Sequence, residues 1–299
     1  MTPAQYGLLW GLFPRISGMP GMPPYADYLS RENFLEDYLD IFRGRDTRAT
    51  RGLPGPHPFY AQLSDPDFIK PKIAYILIGE AAHSSSATFF YNPNHNNPTN
   101  WLGAPLEAFG CGGSYPTNRN EKIEALFALA MKGFLLLDLY PFALAYSKKI
   151  AGKTLRSYIP YIPFWGHLMD RINDPSFQKL VQPECLLAFS GPAGTHHQIA
   201  EQLHKQVLHG APHLISLPHQ CTLTWGLNML TDAHGAPVPP TRVQTFIINW
   251  RIPVQGFNLD GRLSFTTNYY TPKYKCETWD ASYVNGPTTN FVKVAFGLP

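Results

Sequence analysis

Residues 72–83 read Lys72-Ile-Ala-Tyr-Ile-Leu-Ile-Gly-Glu-Ala-Ala-His83. The apolar, β-branched stretch from Ile73 to Ile78 suits a strand buried on both faces better than a helix. It stops at Gly79, and Glu80, His83, Ser84, Ser85 and Ser86 follow within seven residues. A buried strand that gives way at once to glycine and polar groups is how an α/β protein builds a site, because ligands of open parallel sheets bind beyond the carboxyl ends of the strands. The plain alternative is a core strand that meets a surface turn.

Working outward, three more runs share this form. Phe134-Leu-Leu-Leu137 ends in Asp138, Cys185-Leu-Leu-Ala-Phe189 ends in Ser190-Gly191, and His213-Leu-Ile-Ser-Leu217 ends in Pro218-His219. Helical patterns separate them. Asn118 with Glu121 predicts a capping box opening a helix to about Met131, with Ile123, Leu126, Phe127 and Ala130 inward and Gly133 as its stop. A helix is expected around Phe164–Ile172, and another after Thr195. Strands alternating with helices predict an α/β fold, three-layer α/β/α with a central four-stranded parallel sheet. Its strand ends deliver Glu80, Asp138, Ser190, Gly191 and His219 to one edge.

Before the first strand, residues 1–29 are rich in Pro, Gly and aromatics and read as an extended arm. Ser30 is expected to cap a helix over 31–42, with Phe34, Leu35, Tyr38, Leu39 and Phe42 on one face. Arg43, Arg45, Arg48 and Arg51 follow; they make either a solvated loop or phosphate contacts, for which Arg45 and Arg48 are the candidates. Residues 240–299 hold β-prone segments between Gly and Pro, so the chain divides into an α/β domain over 1–239 and a β-rich C-terminal extension over 240–299 packed on it.

Composition bounds the function. With 44% apolar and 15% charged residues among 299, the chain buries a large core and is not disordered. A net charge of +3 neither demands nor opposes a polyanion partner. Four scattered cysteines, with no Cys-x-x-Cys, suggest neither a zinc ribbon nor a disulfide framework. No metal or cofactor is expected, and a reduced, cytoplasmic setting fits. There is no apolar run of transmembrane length, and the start is a poor signal peptide.

The four strand ends, in order, resemble the uracil-DNA glycosylase superfamily. Gly79-Glu-Ala-Ala-His83 is similar to its first motif, Phe134-Leu-Leu-Leu-Asp-Leu139 to its Leu-Leu-Leu-Asn strand end, Leu187-Ala-Phe-Ser-Gly-Pro-Ala193 to its strand ending in Ser-Gly, and Ile215-Ser-Leu-Pro-His-Gln-Cys-Thr-Leu223 to its His-Pro-Ser-Pro-Leu motif. The resemblance covers roughly residues 70–225. It departs at Ala81, where many members carry a water-orienting Asp or Asn, and at Gln220-Cys-Thr222. The iron–sulfur cluster of some members is not supported by the cysteines here.

The resemblance implies a DNA glycosylase that flips a base from the duplex and hydrolyses its N-glycosidic bond. Glu80 would stabilise the sugar cation and orient water; His219 would face the base oxygen. Asp138, Phe89, Phe90 and Ala81 would form the base pocket. His83, Ser84, Ser85, Ser190 and Gly191 would hold phosphates, and Leu223 would wedge into the duplex. Structural alternatives stand beside these: a helix-capping Glu80, a hydrogen-bonded structural His219, Phe89, Phe90 and Leu223 as core, and Asp138 capping a turn. Asp138 sets the expected substrate. Where uracil enzymes have Asn, an ionised Asp only accepts hydrogen bonds and repels uracil O4, whereas a carboxyl accepts from cytosine N4–H and, if protonated, donates to N3. Unmodified cytosine would be a self-destructive target, so the expectation is a C5-modified cytosine, hydroxymethylated or glucosylated as in some phage DNA, with a role in antiphage defence. The alternatives are a uracil or mismatch repair glycosylase, a non-catalytic DNA-binding module on the same fold, and a nucleoside N-glycosidase.

Overall fold

A computed structural model describes residues 1–13, 17–82, 89–94, 102, 105–106, 109–112, 116–143, 149–150, 153–154, 161–172 and 174–189. The described elements, in chain order, are helices α1 (Pro3–Trp10), α2 (Tyr25–Arg43) and α3 (Tyr60–Leu63), strand β1 (Ile73–Ala81), helix α4 (Arg119–Met131), strand β2 (Phe134–Tyr140), the short hairpin β3 (Lys149–Ile150) and β4 (Lys153–Thr154), helices α5 (Tyr161–Ile172) and α6 (Pro175–Gln178), and strand β5 (Val181–Phe189). The expected fourth strand at 213–217, the helix after Thr195 and the extension over 240–299 lie outside the described residues.

Among the described residues β1 is central, in a three-stranded parallel sheet ordered β2-β1-β5. Its position follows from its sequence: Ile73, Ala74, Ile76, Leu77 and Ile78 are all buried, as a strand covered on both faces requires. Gly133 sets β2 against it. At φ +77° Gly133 follows the end of α4, and its carbonyl accepts from Ala74 N (2.8 Å) and Tyr75 N (3.0 Å). A Cβ there would stand 2.7 Å from the Ala74 Cβ, so only glycine permits the approach. β5 starts four residues earlier than its apolar run suggests. Ile73 pairs with Val181 but Tyr75 with Leu186, a register shift over the stretch that holds Pro183, which has no N–H to give to a ladder.

In this sheet β2 forms one edge, and two tyrosine hydroxyls close it. Tyr38 of α2 donates to Phe134 O (2.7 Å); Tyr91 donates to Leu136 O (2.8 Å) and accepts from Leu136 N (2.6 Å). Side-chain hydroxyls thus occupy backbone positions that another strand would otherwise pair with.

The helix expectations hold for α4 and fail at the N-terminus. Asn118 caps α4 by accepting from Glu121 N (3.0 Å), but the Glu121 carboxylate turns to Thr117 N (2.7 Å), so the reciprocal bond lies one residue earlier than a capping box places it. On its inner face Lys122 and Leu129 are buried besides Ile123, Leu126 and Ala130, while Phe127 is half-buried. Residues 1–29 are not simply an extended arm. Thr2 and Gln5 form a true capping box ahead of Pro3, and Pro24, not Ser30, stands at the N-cap of α2. Both helices begin at prolines, which suit a first turn because its N–H groups are unpaired anyway. An aromatic cluster fastens α1 to the body: Tyr6 lies 4.8 Å from Phe142 and Phe13 lies 5.5 Å from Phe164, ring to ring. No helix among the described residues is long and apolar enough to cross a membrane.

Candidate functional site

The parallel pairing sets Gly79 beside Asp138 and Ala81 beside Tyr140, so the ends of β1 and β2 form one edge. Asp138 leans across its neighbour: its Oδ1 lies 2.8 Å from where a Cβ on Gly79 would stand. The glycine that ends the apolar run is therefore the space the carboxyl occupies. Glu80 lies in the same strand, one residue beyond Gly79.

Asp138 opens onto a cavity of about 50 Å³ between β2, α2 and α5, whose walls also include Tyr28, Arg31, Glu32, Phe89, His167 and Arg171. Burial pushes the Asp138 carboxyl up to about 7; Arg31 pulls it down and Glu32 pushes it further up. Raised this far, the carboxyl can be protonated near neutral pH and can then give as well as accept a hydrogen bond.

The charges around it are held differently from one another. Arg171 pairs with Glu32 (2.9 Å) and Glu36 (3.0 Å); burial works against its charge, but these carboxylates outweigh it and keep the guanidinium ionised. His167 is driven toward its neutral form by burial and by Arg171. Burial likewise raises the Tyr28 phenol. Arg31, 4% exposed, donates to two backbone carbonyls instead: Asp27 O (3.3 Å) through Nε and Pro141 O (2.8 Å) through Nη2. It thereby ties α2 to the turn after β2, with its charge beside Asp138.

Of the residues singled out from sequence, the structure brings Asp138 and Phe89 to this cavity, and Ala81 lies at the same strand edge. Phe90 packs in the core, 4.8 Å from the Tyr91 ring and 6.2 Å from Phe134, and is not among the cavity walls. His83, Ser84, Ser85, Ser190, Gly191, His219 and Leu223 lie outside the described residues. Tyr28, Arg31, Glu32, His167 and Arg171 were not singled out. One signal was available: Tyr28, Arg31, Leu35, Tyr38 and Phe42 fall on one helical stripe, and a charged residue inside an apolar stripe marks a polar interior.

A second polar cluster closes the turn after α2. Asp40 accepts from Arg43 (2.7 Å), Thr47 N (2.9 Å) and Arg51 (3.3 Å), and Asp37 pairs with Arg48 (2.6 Å) and Arg51 (2.5 Å). His57 Nδ1 accepts from Phe59 N (3.0 Å), so its Nε2 carries the proton and donates to Asp40 Oδ2 at 3.2 Å. Burial opposes charge on Asp40, but His57, Arg43 and Thr47 outweigh it and hold the carboxyl down at about 2. Asp37, Asp40 and His57 are close enough together to share a cation. The guanidinium groups of Arg43, Arg48 and Arg51 already supply the positive charge, so the cluster is a structural clamp. Arg48 is thus bound to Asp37, whereas Arg45 is exposed. No protein-family model, curated protein or solved structure matches this chain.

Proposed function

We propose that this chain is a DNA glycosylase of the uracil-DNA glycosylase superfamily, and that it hydrolyses the N-glycosidic bond of a flipped-out, C5-modified cytosine to leave an abasic site. The proposal takes the four-stranded, three-layer frame with its β-rich extension, a cytoplasmic setting, DNA as partner, and defence against phages with modified DNA as the role.

One observation carries the reading: a carboxyl that burial raises toward neutral pH stands near the carboxyl end of β2, over Gly79 and on a cavity with Phe89. A protonated carboxyl offers C=O to cytosine N4–H and O–H to N3, which is the cytosine edge and the wrong edge for uracil. An aromatic wall suits a base that has left its stack. The cavity of about 50 Å³ holds a water or two rather than a base, so a base meets Asp138 only once Phe89 or a neighbouring segment gives way.

The test compares duplexes carrying uracil, cytosine, 5-hydroxymethylcytosine and its glucosylated form, read as abasic-site cleavage, for the wild type and Asp138→Asn. The expected result is release of a modified cytosine by the wild type and a shift toward uracil in the variant. Preference of the wild type for uracil would overturn the cytosine assignment. Binding without release of any base would overturn the enzyme.

A further inference from the structure

We propose that Arg31 and Asp138 act as one unit, in which Asp138 protonates N3 of the departing cytosine and Arg31 stabilises the base oxygen O2 and then the carboxylate left behind. The inference rests on the glycosylase reading and adds to it a residue from α2, far outside the stretch that carries the family resemblance.

Among the described residues, the cavity holds one cation that is not paired with a carboxylate. Facing Asp138 are Tyr28, Arg31 and Glu32 from α2, His167 and Arg171 from α5, and Tyr140 from its own strand. Arg171 is committed to two carboxylates. His167 is held toward its neutral form. Arg31 spends Nε and Nη2 on carbonyl oxygens, which leave its charge unneutralised, and its Nη1 takes no part in those bonds. A buried guanidinium on carbonyls, with a neighbouring carboxyl across a small cavity, is poised to meet negative charge that develops between them.

The N1–C1′ bond breaks and its electron pair enters the base, delocalised over N1, O2 and N3. Water adds its oxygen to C1′ and gives up a proton, which Glu80 is proposed to take. The Asp138 proton moves to N3, so the base leaves neutral. Negative charge passes from the base to the Asp138 carboxylate, still beside Arg31, and the proton lost from water restores the acid by way of solvent. A general acid serves best when it titrates near the working pH, and burial raises the Asp138 carboxyl in that direction.

The experiment follows base release in single turnover from pH 5 to 9, and the Asp138 carboxyl by carbon-13 NMR, in the wild type, Arg31→Gln and Arg31→Lys. The wild-type rate should fall as pH rises through the Asp138 midpoint. Arg31→Gln should lower the rate about 10²–10³-fold and raise the midpoint, because a cation that favoured the carboxylate is gone; Arg31→Lys should restore most of the midpoint and part of the rate. An Asp138 midpoint unchanged in Arg31→Gln, with a rate within threefold of wild type, would overturn the role of Arg31 and leave the glycosylase reading standing. If Arg31→Gln does not fold, Arg31→Lys decides: a wild-type rate with a displaced ammonium would overturn the contact with O2. Absence of base release by the wild type would overturn the glycosylase reading, and the transfer to N3 with it.

Discussion

The Asp138 carboxyl lies where a side chain at Gly79 would be, with Oδ1 2.8 Å from the missing Cβ. Strand register makes this possible, since Gly79 and Asp138 are direct partners across β1 and β2. The same register tells what each does: Gly79 contributes space, and the half-buried Asp138 fills it with a carboxyl oxygen.

Gly79→Ala should therefore act on Asp138 more than on the fold. A Cβ at 2.8 Å must displace the carboxyl, but the carboxyl is a side-chain end that can rotate away, and Leu136 Cδ1 at 3.5 Å is in ordinary contact. The expected outcome is a base-release rate at least about tenfold lower with about 1 kcal/mol or less lost in stability. In an Asp138→Ala background the second substitution should cost nearly nothing, so a thermodynamic cycle checks the cause. Equal costs in the two backgrounds would refute it.

Asp138 also makes a prediction about pH. Its folded value of about 7 lies above the ordinary 3.8, so its contribution favours the folded state below about pH 4 and is lost as pH rises toward 7. Above pH 7 the buried charge is a net cost. Asp138→Asn should thus gain stability relative to the wild type as pH climbs from 4 to 7, by about 3 kcal/mol, and level off beyond. Urea midpoints across that range measure it; a constant difference would mean that the carboxyl is not perturbed.

The sheet could be read from sequence where one local rule decided it. Ile73–Ile78 is too apolar for any place but the middle of a sheet, and Gly133 and Asn118 punctuate α4 by backbone chemistry alone. The N-terminus misled because its prolines look like an arm, yet Pro3 and Pro24 stand where helices start. The cavity was half legible. Asp138 stands near the end of its strand, which runs two residues past the expected stop, to Tyr140, but Arg31 and His167 reach it only because α2 and α5 pack beside β2, and no local pattern encodes that packing. The clamp of Asp37 and Asp40 on Arg48 and Arg51 was hidden for a similar reason: the arginines fold back on their own helix through Gly44 at φ +64°.

The closed edge of β2 should be measurable residue by residue. Tyr91→Phe leaves both Leu136 N and Leu136 O without their hydroxyl, while Tyr38→Phe removes the hydroxyl from Phe134 O only. A buried backbone group without a partner costs about 1–3 kcal/mol. Tyr91→Phe should therefore destabilise more than Tyr38→Phe, and amide exchange at Leu136 should quicken in the first variant alone. Indistinguishable melting curves would show that water replaces the hydroxyl.

The clamp after α2 should set the acid limb of stability. Asp40 is held at about 2 against an ordinary 3.8, so its contribution is complete above about pH 4 and disappears as pH falls toward 2. Asp40→Asn should cost about 1–3 kcal/mol at pH 7, because the amide gives up the ion pairs with Arg43 and Arg51 while Arg43 keeps Glu36 (2.6 Å), and should flatten the loss of stability between pH 4 and 2. An acid limb as steep as wild type would place the effect on other carboxylates.

Arg45 and Arg48, three residues apart, should behave oppositely in DNA binding. Arg48 gives Nη1 to Asp37 at 2.6 Å and Nη2 to Pro54 O at 3.1 Å, and its side chain is 18% exposed. Its charge is already matched by a carboxylate, so meeting a phosphate would mean breaking a half-buried pair. Arg45 is exposed, and its guanidinium can reach a phosphate without such a loss. Each phosphate neutralised releases condensed counterions and steepens the fall of log K with log salt by about 0.9. Arg45→Gln should thus reduce the slope by about that amount with little change in melting temperature. Arg48→Gln should leave the slope alone and lower stability by about 1–3 kcal/mol, since of its two ion-pair partners among the described residues Asp37 then keeps Arg51. Fluorescence anisotropy on one duplex across a potassium chloride series, with thermal melts of the same preparations, separates the two. A reduced slope with unchanged stability in Arg48→Gln would mean that Arg48 leaves Asp37 for the DNA.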